Sequence, residues 1–193
     1  GNLEYCELNL LKDEGWDQAM EGCDYVLHVA SPFVTSEPKD ENELIKPAVE
    51  GTQRALKAAK KAGIKRMVIT SSMVAMMGDA RGTVDINQNS WTNVNAKGVS
   101  AYLKSKTLAE QSAWEFINNQ EGEPLLELVT INPGPIYGPT LSGNLTGESM
   151  GMYKQLISGK MPLLPQFAIN MSDVRDVAAI HVAALKNEKA NGK

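Results

Sequence analysis

Tyr102 and Lys106 stand four residues apart in Tyr102-Leu103-Lys104-Ser105-Lys106. On a helix that spacing puts two side chains on one face, with β-carbons about 6 Å apart. A free phenol ionises near pH ~10 and moves protons poorly at neutral pH. A neighbouring ammonium favours the phenolate and lowers that value. The pair can therefore act as an acid–base group. Thirty residues before Tyr102, Thr70-Ser71-Ser72 closes an apolar run. A serine hydroxyl there could donate to the same carbonyl oxygen that Tyr102 protonates. Such oriented donors stabilise charge as it develops on a reacting oxygen.

These residues need a scaffold that brings a strand end to a helix face, and the hydropathy pattern supplies one. Leu3–Leu8 alternates like a strand, and Asp13–Glu21 has helical spacing. Tyr25–Ala30 and Arg66–Thr70 are continuous apolar runs, as expected of parallel strands covered on both faces. Between them, Leu44, Ala48, Thr52, Ala55 and Ala59 recur at helical intervals over Glu43–Ala62, and Gly63 follows as a C-cap. A second long helix is predicted over Ser100–Asn119, a strand over Leu125–Ile131, and helices over Met150–Ser158 and Val174–Lys186. Ser172-Asp173 precedes the last helix with oxygens suited to capping it. Alternating strands and helices predict an α/β fold, a doubly wound parallel sheet with helices on both faces. Ligands bind such sheets outside the carboxyl ends of the strands. Val29-Ala30-Ser31, Thr70-Ser71-Ser72 and Asn132-Pro133-Gly134-Pro135 fall at those ends.

The 193 residues suffice for a buried core, and the net charge of −4 offers no bulk attraction to nucleic acid or an anionic membrane. No stretch approaches 18 apolar residues, the length a spanning helix needs (about 20). Lys57–Lys65 is a solvated helix face without stacking aromatics. Cys6 and Cys23 have no metal-site spacing and are expected to be buried thiols in a cytoplasmic protein. His28, inside an apolar run, is expected to be a buried neutral histidine, and His181 suggests no role.

Five ordered blocks extend the pattern over nearly the whole chain. They are Gly22–Pro32, Glu43–Thr52, Arg66–Ser72, Tyr102–Glu110 and Ile131–Pro139, with Asp173–Ala178 after them. In these blocks the sequence resembles the extended short-chain dehydrogenase/reductase superfamily, in its dihydroflavonol reductase, cinnamoyl-CoA reductase and aldehyde reductase branch. The resemblance implies a Rossmann-type sheet, a Ser–Tyr–Lys catalytic set of Ser72, Tyr102 and Lys106 with Ser71 as the alternative serine, and NADP as cofactor, NAD being possible. It implies that Glu7 and Leu8 lie at the adenine and that Val29, Ala30 and Ser31 pass the ribose and phosphate. Thr70, Ser71, Tyr102 and Lys106 would also meet the cofactor, and Pro133, Gly134, Pro135 and Ile136 would line the nicotinamide. Ser72, Met73, Met77 and Tyr102 would face substrate, and no metal is implied. Where plant dihydroflavonol reductases place a flavonoid-binding Asn, this sequence has Met77; the resemblance does not extend to a flavonoid substrate.

The family's glycine-rich phosphate loop, expected ahead of Leu3, is not in the sequence, and the first residue is Gly1. The expectation is a partial chain: residues 1–140 from the dinucleotide-binding domain, 141–170 from the substrate-binding region, and 171–193 a helix returning to the first. Alone, it is expected to be poorly soluble and to bind no cofactor. The implied activity is NAD(P)-dependent reduction of a small aldehyde or ketone to an alcohol, by a monomer or homodimer. Two rivals share the scaffold. A nucleotide-sugar epimerase needs only the same residues, whereas a dehydratase needs an acid–base pair where Met73-Val74 stand. A non-catalytic relative would commonly have lost the Tyr or the Lys.

Overall fold

Arg66–Thr70 is buried along nearly its whole length, so both of its faces need cover. In the computed structural model, which describes residues 3–32, 38–78, 85–141, 143, 148–160 and 170–193, two layers of helix supply it. β1 (Tyr25–His28), β2 (Arg66–Thr70) and β3 (Glu127–Ile131) form a parallel sheet in that order. Its register aligns His28 with Ile69, and Ile69 with Thr130. Alternate residues point to opposite faces. Met67, Ile69 and Leu128 pack with Ala55, Leu56, Ala59 and Ala113 of α2 (Asn42–Lys61) and α3 (Ala101–Asn118). Val68 and Val129 face the other way, onto Ala184 and Leu185 of α5 (Val174–Lys186). This is the expected doubly wound arrangement.

Local chemistry places the helix ends. Ser100 caps α3 by accepting the Leu103 N–H at 3.3 Å, and Asp173 caps α5 by accepting the Arg175 N–H at 2.8 Å. Gly63 follows α2 with φ +70°, a conformation that costs residues with a Cβ. Arg66, only 2% exposed, anchors α5 to the sheet. Its guanidinium donates to Glu127 at 2.6 Å and to the carbonyls of Ala184 and Asn187, both at 2.7 Å. It thereby satisfies acceptors that the end of α5 leaves open. β4 (Ile136–Tyr137) and β5 (Ser172–Asp173) make a second, two-stranded parallel sheet, and α4 (Glu148–Ile157) packs on β4 through Tyr153 and Tyr137, whose ring centroids are 6.0 Å apart.

Three expectations change. Leu3–Leu8 is not a strand. No described strand offers it a partner, and Leu3 and Tyr5 stand 76% and 89% exposed. An unpaired strand gains neither ladder bonds nor burial. The chain next docks on α2 instead: the Leu10 carbonyl accepts from Arg54 at 2.7 Å, and its side chain fills the space left by Gly51. Cys6 and Cys23 are exposed rather than buried, because they lie in that unpaired segment and in the turn after α1 (Trp16–Met20). α1 is also shorter than expected, starting only after Gly15 turns the chain at φ +87°. Much of 141–170, and parts of the loops 31–41 and 78–98, lie outside the described residues.

Candidate active site

β2 ends at Thr70, and the next three residues are held by β3 and the segment after it. The Ser71 N–H donates to the Ile131 carbonyl at 2.8 Å, and the Met73 N–H to the Pro133 carbonyl at 2.9 Å. The end of β2 is thus fastened to the end of β3. The two serines then diverge. Ser71 donates its hydroxyl to the buried Glu110 carboxylate. Ser72, extended at φ −160°, accepts the Val74 N–H at 3.4 Å, and its hydroxyl lies beside the Tyr102 phenol. A 3₁₀ turn, Met73–Met76, follows and is clamped by Thr92. The Thr92 hydroxyl donates to the Val74 carbonyl at 2.6 Å and accepts the Met77 N–H at 2.8 Å.

Tyr102, Lys106 and Glu110 occupy one face of α3 at successive turns. Lys106 reaches the Thr70 carbonyl at 3.4 Å. The Thr70 hydroxyl meets His181 Nε2 at 2.7 Å, and His181 Nδ1 lies 2.7 Å from the Val177 carbonyl. A carbonyl only accepts, so the proton is on Nδ1, and Thr70 donates to Nε2.

Burial governs the electrostatics. It pushes the Tyr102 phenol above its ordinary range, and the neighbouring Ser72 hydroxyl pulls it part of the way back. The Tyr–Lys spacing predicts a lowered phenol; the structure raises it instead, because burial disfavours the phenolate. Burial pushes Lys106 down to about 8, and Glu110 opposes that shift. His28 is buried as expected, and burial, with the Lys106 charge second, pushes its imidazole down to about 4. It is neutral at pH ~7.

The strand ends therefore bring together Thr70, Ser71, Ser72, Tyr102 and Lys106, with Pro133 attached through Met73. Met73 and Met77 are half-buried beside them. Pro133, Gly134, Pro135 and Ile136 are half-buried too. The Pro135 carbonyl accepts the Ser172 N–H at 3.0 Å, and a Cβ at Gly134 would come within 2.0 Å of the Asn170 carbonyl oxygen. Val29 and Ala30, both exposed, share a cleft of about 450 Å³ with Leu8 on the outer side of β1. Ser31 is half-buried, and Glu7 is exposed outside that cleft.

Sequence reasoning passed over Glu110, Asn132, Thr92 and His181 as site residues. Glu110 was findable: it is four residues beyond Lys106 on the same helix. Asn132 sits in a quoted motif, but its partners come from other elements. His181 is 111 residues from Thr70, and no spacing rule connects them.

Known proteins resemble this chain in sequence and in fold. The chain is 34% identical over 197 residues to a cinnamoyl-CoA reductase of Medicago truncatula, covering 99% of this chain and 59% of that protein. It is 30% identical to an anthocyanidin reductase of Vitis vinifera, covering all of this chain and 60% of that one. Among solved structures, the yeast methylglyoxal/isovaleraldehyde reductase Gre2, complexed with NADPH, superposes with a TM-score of 0.77 at 28% identity, over 95% of this chain and 60% of Gre2. Vestitone reductase from alfalfa superposes with a TM-score of 0.75 at 27% identity, over 93% of this chain and 56% of that enzyme. The chain thus spans about three-fifths of the length of these relatives. All of residues 1–193 match the 3-beta hydroxysteroid dehydrogenase/isomerase family, and with the reductases above they place the chain in that family, in the reductase branch of the extended short-chain dehydrogenases/reductases.

Proposed function

We propose that the intact protein is an NADP-dependent reductase that converts an aldehyde or ketone to an alcohol, with Ser72, Tyr102 and Lys106 at the reacting atoms. The observation that carries this reading is the Ser72 hydroxyl beside the Tyr102 phenol at the carboxyl end of a parallel strand, with Lys106 one turn along α3. Ser71 is engaged by Glu110, which leaves Ser72 as the serine beside the phenol.

The raised phenol suits reduction. At neutral pH Tyr102 carries its proton and can give it to a carbonyl oxygen. Ser72 donates a second hydrogen bond to that oxygen, stabilising its charge in the transition state. The phenolate left on Tyr102 lies one turn from the Lys106 ammonium, which stabilises it. A reduced nicotinamide, when bound, supplies the hydride to the carbonyl carbon.

The residues present fit such a group. Parallel strands direct Val29–Ser31, Thr70–Ser72 and Pro133–Ile136 to one edge of the sheet, where nucleotides bind folds of this kind. Lys106 offers donors suited to a ribose there. The NADPH bound by Gre2 supports the choice of NADP. Met73 and Met77 supply a soft apolar wall for the substrate.

The test is Tyr102→Phe in the intact protein, assayed with small aldehydes and with nucleotide binding followed separately. Reduction is expected to vanish while nucleotide binding persists. Turnover within about tenfold of the parent would remove Tyr102 as proton donor, since a positioned acid contributes about 10²–10⁴-fold.

A further inference from the structure

Glu110 is a buried carboxylate that the chemistry above does not use. A carboxylate only accepts hydrogen bonds, and four donors converge on this one. Oε2 takes the Ser71 hydroxyl and, at 2.7 Å, the Asn132 amide. Oε1 takes the Thr130 hydroxyl at 3.3 Å and the Trp114 indole N–H at 3.4 Å. The donors come from the end of β2, from β3 and the residue after it, and from α3 itself. Asn132 also donates to the Ser72 carbonyl at 3.3 Å. Two routes therefore run from Glu110 to the Ser72 backbone: one through Ser71, its chain neighbour, and one through Asn132.

We propose that Glu110 is the positioning residue of this site: its carboxylate fixes the strand end that carries Ser72 and stands one helical turn from the Lys106 ammonium, which it stabilises. This rests on the reductase reading of Ser72, Tyr102 and Lys106. The spacing repeats the geometry of the Tyr–Lys pair, about 6 Å along the helix. Lys106 needs that carboxylate, because burial disfavours its protonated form and Glu110 acts against it. Other described groups do not replace it. His28, from β1, is neutral at neutral pH. From β2, Lys106 receives the uncharged Thr70 carbonyl, whose residue contacts the α5 side chain His181 through its hydroxyl. From the α2 side, Glu41 pairs with Lys104, not Lys106. On α3, Tyr102 holds its proton.

The experiment measures the Lys106 titration directly in the intact protein. Lysines are reductively methylated with ¹³C-formaldehyde and followed by NMR, Lys106 being assigned by its loss in Lys106→Arg. In the parent, Lys106 is expected to titrate near about 8. In Glu110→Gln it is expected to titrate at least about one pH unit lower, the scale for removing an opposite charge at this range. Glu110→Asp keeps the charge and should hold the titration near the parent's, while turnover falls because the shorter arm releases Ser71 and Asn132. An Oε-to-Nζ coupling of this kind also shows in the parent protein, where the Glu110 carboxyl carbon should register the Lys106 titration. An unchanged Lys106 titration in Glu110→Gln, or, if that variant does not fold, a parent carboxyl signal flat across the Lys106 titration, overturns the proposal. So does lost turnover with the Lys106 titration unmoved, the signature of a merely structural role. The readout needs no turnover, so an active Tyr102→Phe would sink the reductase reading while leaving the Glu110 measurement to be judged by itself.

Discussion

His28 makes the stability of this fold depend on pH in a calculable way. It closes β1, is 7% exposed, and lies near Lys106. Burial first, and the Lys106 charge second, push its imidazole from 6.5 down to about 4. The unfolded chain binds a proton there near pH ~6.5, whereas the folded one waits until about 4, so between these values protonation favours unfolding. His28 costs nothing above the upper value, and its penalty grows as pH falls through the window. A gap of about 2.5 pH units, at about 1.36 kcal/mol each, amounts to roughly 3 kcal/mol once pH reaches 4. The perturbation is His28→Gln, which cannot titrate in this range. Urea unfolding of the intact protein and the variant, at several values between about pH 7 and pH 4, isolates the contribution, because the other titrating groups are shared and cancel. The variant is expected to lose less stability on acidification than the parent, the difference reaching about 3 kcal/mol. Parallel curves for the two proteins would refute the burial argument for His28.

Two further substitutions probe the strand ends. Ser72→Ala should lower turnover by about 10²-fold or more, the scale for losing one donor to a developing oxyanion. Ser71→Ala should act mainly on stability, costing roughly 1–3 kcal/mol because it removes one of the Glu110 donors; a larger turnover loss for Ser71→Ala than for Ser72→Ala would reverse the assignment. Gly134→Ala places a Cβ 2.0 Å from the Asn170 backbone oxygen, so the loop after β3 must shift. A loss of roughly 1–3 kcal/mol in thermal unfolding, with reduced turnover, is expected, and an unchanged Tm and turnover would show that the loop yields freely.

What the sequence by itself determined is the part of the protein that depends on short-range periodicity and on local chemistry. The apolar run Arg66–Thr70 could only be a covered strand, and β2 has those bounds. The recurrence from Leu44 to Ala59 specified the buried face of α2, and Ser100 and Asp173 marked helix starts because their side chains reach amides two or three residues away. Four-residue spacing puts Tyr102 and Lys106 on one face of α3 by helix geometry alone. Alternation also misled. Leu3–Leu8 has a strand's pattern, but a strand forms only when another strand satisfies its backbone, and pattern carries no record of the neighbour. The resemblance named Ser72 with Ser71 as the alternative, and the tertiary structure separates the two. Ser71 and Ser72 are adjacent and chemically alike, and they separate only because successive side chains of an extended backbone point opposite ways, one toward Glu110 and the other toward the phenol. It also set the direction of the Tyr102 shift, since the spacing that implies a helpful ammonium says nothing of how much water the fold removes. His181 joined Thr70 for the same reason: α5 is brought onto β2 by packing on the sheet, a contact between residues too far apart in the chain for any local rule to connect.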